Sequence, residues 1–170
     1  GEGALLKLIQ NRKEKLQKQG FFEKKYKKQI PFFPTNIGVI TSPTGSVIHD
    51  IINRIKDRFP TNVLLWPVPV QGSNSAELIS EAIKGFNRIT DINRPEVIIL
   101  ARGGGSTEDL MAFNDELLAI DVFNSSIPIV SAIGHETDTT IVDLVSDLRA
   151  STPTAAAEIV VPVRKELENN

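Results

Sequence analysis

His135 and Asp138 stand three residues apart in a Gly-His-Glu-Thr-Asp segment, so if a helix begins there they are neighbours and one side chain can orient the other. Histidine titrates nearest neutral pH. That suits His135 to general acid or base work, with Asp138 fixing its tautomer or stabilising its charged form, although a lone histidine is more often structural. A second segment, Arg102-Gly103-Gly104-Gly105-Ser106, sets a guanidinium beside three glycines whose N–H groups can approach a ligand that any Cβ would hold off. Such a nest suits the oxygens of a phosphate, both in the ground state and as charge builds in a transition state. The competing interpretation is a tight turn into a helix, with Ser106 as N-cap and Asp109 completing a capping pattern. Glu108 and Asp109 would then compete with an anion for the same helix terminus. A third segment, Thr41 to Ser46, puts the hydroxyls of Ser42 and Thr44 and the backbone of Gly45 ahead of a helix, as donors to a phosphate or carboxylate. Alternatively, Ser46 merely caps that helix. His49 and Asp50 follow in its first turns, off the apolar stripe; Asp50 can be catalytic or can serve the helix dipole.

These segments need a frame. Four β-rich runs, 37–41, 63–67, 97–100 and 127–131, are apolar at nearly every position, as strands of a parallel sheet covered on both faces are. Between them Val47, Ile48, Ile51, Ile52 and Ile55 form one helical apolar face. Ile79, Ala82, Ile83 and Phe86 form a second, and Ile141, Leu144, Val145 and Leu148 a third. The alternation predicts an α/β fold: a doubly wound, flavodoxin- or Rossmann-like parallel sheet of about four strands in the order 2-1-3-4, flanked by helices. Each polar, glycine-rich segment then follows a strand and falls on the carboxyl rim, where open parallel sheets bind ligands. The expected organisation is a basic helix and linker over 1–35, the α/β domain over 36–158, and the start of a truncated helical region over 159–170.

Charge is uneven. Residues 1 to 30 hold nine Lys/Arg against three Glu, and the remainder ten against eighteen, so a basic arm precedes an acidic body. The arm reads equally well as a phosphate-binding extension or as a solvated helix face. Absence of cysteine removes disulfides and thiolate chemistry, no apolar run approaches the ~20 residues that span a bilayer, and a soluble, cytoplasmic chain with no membrane partner is expected. The glycines do not make a GxGxxG fingerprint, because position 108 is Glu, and there is no GxxxxGK[ST]. Hydride transfer and triphosphate hydrolysis lose support.

From about Asn36 to Glu158 the chain resembles the catalytic domain of the exodeoxyribonuclease VII large subunit, in IGVITSPTG, the following HDI, RGGGSTEDLMAFNDE, GHETDTT and TPTAAAE. The resemblance implies hydrolysis of single-stranded DNA from either end, without ATP, to short oligonucleotides bearing 5′-phosphates. It links Asp50, Arg102, His135 and Asp138 to catalysis. It implies no required cofactor, with magnesium on Asp50 and Asp138 left open, and a small-subunit partner bound through regions outside this chain. The rival reading is a non-catalytic α/β module whose glycine nest holds a phosphorylated ligand.

Overall fold

The computed structural model describes residues 1–69, 72–103, 108–134 and 139–163. Its sheet is all parallel, with five strands in the order β2-β1-β3-β4-β5. They are β1 (Asn36–Thr41), β2 (Asn62–Pro67), β3 (Val97–Ala101), β4 (Ile129–Ala132) and β5 (Leu148–Arg149). Every residue of β1, β3 and β4 is buried, because helices cover both faces there. Helices α2 (Ser46–Arg58) and α6 (Pro153–Val160) pack Ile48, Ile51, Ile55, Ala156, Ala157 and Val160 against Ile37, Val39, Val97, Ile99 and Val130. On the other face α3 (Ser75–Arg88), α4 (Glu116–Asn124) and α5 (Ile141–Val145) pack on Ile40, Ile98, Leu100 and Ile129. The doubly wound parallel architecture and the order of its first four strands agree with the sequence pattern.

Three details differ. A fifth strand extends the sheet, and Leu148, expected on the third helical face, belongs to it; α5 ends at Val145. With two residues β5 is too short to show a period, and its Leu148 is exposed. Strand β2 is not covered on both faces: it is an edge strand and half its positions are exposed. A 3₁₀ turn, Glu108–Asn114, and then α4 occupy the stretch after β3, where the sequence offers a helix only as the alternative to a phosphate nest.

The basic arm is docked on the body. Helix α1 (Glu2–Lys18) buries Leu16 completely, a contact that stabilises by roughly 2 kcal/mol. Phe21 and Tyr26 then meet the ring of Phe123 edge-on at 4.7 and 5.3 Å. Four of its cations hold it down. Arg12 donates to the Asn114 carbonyl (3.0 Å), Lys15 pairs with Glu116 (2.6 Å), and Lys28 pairs with the buried Asp147 (3.3 Å). Lys27 donates to the carbonyls of Leu144 and Ser146 at the carboxyl end of α5 (2.5 and 2.8 Å). Lys7, Lys18, Lys24 and Lys25 stay exposed.

Burial lowers the Lys27 pKa, with Asp147 opposing and Lys28 reinforcing the shift. The folded chain therefore releases this proton before the unfolded chain does, and between the lowered pKa and the ordinary value the unfolded state binds more protons. Stability contributed by Lys27 should rise with pH across that window. Denaturant titrations of wild type and Lys27→Met from pH 7 to 11 check this: the wild-type advantage should grow toward high pH, and a constant difference would contradict it.

Candidate active site

In this strand order the chain reverses direction across the sheet between β1 and β3. The β1 connection through α2 leads to one side, and the β3 connection leads to the other. The carboxyl ends of β1 and β3 therefore border the topological switch point, the crevice where sheets of this class take ligands. Two of the three segments singled out by residue type meet here.

The β1 loop supplies an open helix end. Gly45 occupies the N-cap of α2 at φ 91°, ψ −176°, a backbone region essentially reserved for glycine. Ser46 is the first helical residue, not the cap, and among the described residues no side chain caps α2. Ser42 and Thr44 turn toward each other instead, with their hydroxyl oxygens 3.2 Å apart and Thr44 N donating to Ser42 Oγ at 3.3 Å. Among the described residues no side chain occupies the first-turn N–H groups of this 13-residue helix, the kind of end that takes an anion. A Cβ at Gly45 would meet nothing within 4 Å, so Gly45→Ala tests the backbone alone. It should destabilise by about 1–3 kcal/mol, read as a lower denaturant midpoint at unchanged slope.

The β3 loop approaches that end. Arg102 is buried, 5% exposed, and its N–H donates to the Ala132 carbonyl at 3.0 Å, which ties the start of this loop to the end of β4. A Cβ on Gly103 would lie 3.1 Å from Val47 of α2, so Gly103 passes against the helix's first turn. Asp50 is one turn further along, exposed, on the same face of α2 as Val47 and as Arg54, which reaches Glu158 of α6 at 3.0 Å. His49 is exposed as well. Gly104, Gly105, Ser106, His135 and Asp138 lie outside the described residues, so of the expected set the structure brings together Arg102, Gly103, Gly45, Ser42 and Thr44, with Asp50 alongside.

The segment 135–138 emerges from β4 and rejoins described chain ahead of α5, whose amino end is closed. Thr140 accepts from Asp143 N (3.3 Å) while Asp143 Oδ2 accepts from Thr140 N (2.8 Å) and Thr140 Oγ1 (2.9 Å), a reciprocal capping box. Asp143 Oδ1 accepts from Ser131 Oγ of β4 at 2.7 Å, and Asn114 Oδ1 accepts from Ile141 N at 3.0 Å. Asn114 and Asp143 had drawn no assignment from sequence. The Thr140-x-x-Asp143 spacing is a legible capping signal; the reach of Asn114 across 27 residues is not. An anion would find α2 open and α5 shut. Among the described residues no three His, Cys, Asp or Glu side chains gather as a metal site, and no helix is long and apolar enough to cross a membrane.

Residues 21–170 match the family model described as "Exonuclease VII, large subunit". The chain is 58% identical to the exodeoxyribonuclease 7 large subunit of Rickettsia akari, over 99% of this chain and 38% of that protein. It is 57% identical to the proteins of the same name from Mesorhizobium japonicum, over 99% of this chain and 33% of that protein, and Rhodospirillum centenum, over 98% and 32%. The chain thus spans well under half the length of these relatives.

Proposed function

Since the chain belongs to the exonuclease VII large-subunit family, we propose that it is the hydrolytic core of an enzyme that degrades single-stranded DNA from either end, without ATP, to short 5′-phosphate oligonucleotides. The observation that carries this reading is the meeting of Arg102, Gly103 and the uncapped end of α2 at the β1/β3 crevice. That crevice is fitted to a phosphodiester.

In the proposed reaction water attacks phosphorus, the bond to the 3′ oxygen breaks, and the phosphate stays on the 5′ end of the released piece. His135, oriented by Asp138, takes the proton from water or gives one to the departing oxygen. Arg102 with the N–H groups of Gly103, Gly104, Gly105 and Ser106 holds the charge that builds on the non-bridging oxygens. Ser42, Thr44 and the amino end of α2 receive a neighbouring phosphate. Asp50 is the least constrained: it is exposed at the edge of the crevice and serves as base or, with Asp138, as a ligand for magnesium. No cofactor is required in this reading. The small subunit binds through parts of the protein outside this chain, and the work is cytoplasmic.

The test uses the full-length large subunit with its small subunits on end-labelled single-stranded DNA, wild type and His135→Ala, with and without chelator. Release of short 5′-phosphate oligonucleotides that survives chelation and is lost on substitution supports the reading. An unchanged rate in His135→Ala makes that histidine structural and removes it from the mechanism, whereas no cleavage by wild type returns the site to a phosphate-binding module. Loss on chelation alone makes the carboxylates metal ligands.

A further inference from the structure

The hydrolytic reading uses Arg102 and residues 135–138 but leaves unused a group of buried polar side chains on the elements that flank them in the chain. Asp143 has no exposed side-chain surface, and burying a carboxylate costs several kcal/mol unless its oxygens are well satisfied. Here it receives Ser131 Oγ, Thr140 N and Thr140 Oγ1, and Arg149 Nε lies 3.8 Å from it. Ser131 precedes the 135–138 segment and Thr140 follows it, so one carboxylate grips the chain on both sides of the loop that carries His135 and Asp138. Ordinary capping of a helix end is worth about 1 kcal/mol and is done well by an exposed hydroxyl. A five-residue helix has little stability of its own, so the purpose of so many bonds is to fix where it starts.

Asn114 adds the second loop. It closes the 3₁₀ turn that follows the glycine nest, is 7% exposed, and its Oδ1 takes the Ile141 N–H, the first helical donor of α5. The Arg102 loop is held to β4 at one end by Arg102 N on Ala132 O, and to α5 at the other by Asn114. Both loops are therefore referenced to the same short stretch, residues 140–143.

We propose that Asn114 and Asp143 are positioning residues for the hydrolysis: Asp143 fixes the chain on both flanks of the segment that carries His135 and Asp138, and Asn114 ties the stretch that follows Arg102 to the same anchor, without touching substrate. The proposal rests on the functional reading above. A shift of about 1 Å between reacting groups costs on the order of 10²-fold in rate, whereas phosphate grip at α2 is untouched, so kcat falls and KM does not.

The experiment is steady-state cleavage of end-labelled single-stranded DNA by the assembled full-length enzyme carrying Asn114→Ala, Asn114→Asp, Asp143→Asn or Ser131→Ala, beside wild type and His135→Ala. Asn114→Ala and Asp143→Asn should lower kcat by about 30-fold or more, with KM within about twofold. Asn114→Asp keeps an oxygen for Ile141 N and should recover most of the loss. Ser131→Ala removes one bond and almost no volume, so it folds even where the others do not; it should lower kcat by about fivefold at unchanged KM. The proposal is overturned if folded Asn114→Ala and Ser131→Ala keep wild-type kcat while His135→Ala is dead. It is overturned too if losses track a lower melting temperature and Asn114→Asp recovers nothing. If wild type does not cleave, it is the hydrolytic reading that falls; if His135→Ala cleaves normally, the assignment of His135, on which the proposal rests, falls instead.

Discussion

In the assembled enzyme, Arg102→Ala is expected to reduce kcat on single-stranded DNA by about 10²–10³-fold, and His135→Ala by roughly 10²–10⁴-fold, with KM changing much less in each case. The two act on different parts of one barrier. In the proposed mechanism Arg102 opposes charge that exists on the phosphate before reaction and grows during it, and His135 moves a proton. Burial enlarges the first effect, because a side chain on a residue that is 5% exposed works in a medium where each interaction is several times stronger than in water. Arg102→Lys should not restore the rate, since an ammonium on a flexible stem cannot present two donors in a fixed plane to two phosphate oxygens. Because Arg102 is buried, each variant must first be shown to melt as wild type does. A folded Arg102→Ala enzyme within about fivefold of wild type would remove Arg102 from the mechanism.

The largest stability effect is expected from Gly85→Ala in α3. Propensity alone favours alanine within a helix by about 1 kcal/mol. Packing opposes it: a Cβ at this position would overlap Trp66 Cη2 and Cζ3, inside any tolerable contact. The indole of β2 lies across the helix at its glycine and meets Phe86 edge-on at 5.3 Å, so it cannot yield without giving up that contact. Overpacking of this kind costs about 1–3 kcal/mol or more, and it should outweigh the propensity gain. A double-mutant cycle separates the two. Gly85→Ala should destabilise the wild-type chain by about 2 kcal/mol and become neutral or stabilising on a Trp66→Leu background. Equal effects in both backgrounds would show that the ring is not the cause.

Much of the frame was legible because its signals are local. Strands β1, β3 and β4 are apolar at most positions, as doubly covered parallel strands are, and a polar, glycine-rich stretch follows each of them. What escaped depends on partners distant in sequence. Strand β5 exists because Val130 and Ser131 of β4 pair with Leu148 and Arg149; two residues carry no period by themselves. The exposed side of β2 follows from its place at the sheet edge, which strand order decides and composition does not. Ser46 looked like a cap until Gly45 took that position with a backbone angle other residues avoid. Lysines such as Lys27 read as solvated charges because their acceptors are backbone carbonyls 117 and 119 residues away. Asn114 was hidden for the same reason.

The docked arm also sets an order of events during synthesis. Strands β1 and β2 are neighbours in the sheet and can pair early, and β3, β4 and β5 then arrive in turn, each on the outer flank of what has already formed. The arm leaves the ribosome before all of them, yet the carbonyls that receive Lys27 are made 117 and 119 residues later. At about 5–20 residues per second that is an interval of roughly 6–25 s. Until then Lys27 lacks both acceptors, so during synthesis this stretch stays an undocked, apolar and positively charged segment that only the end of α5 can retire.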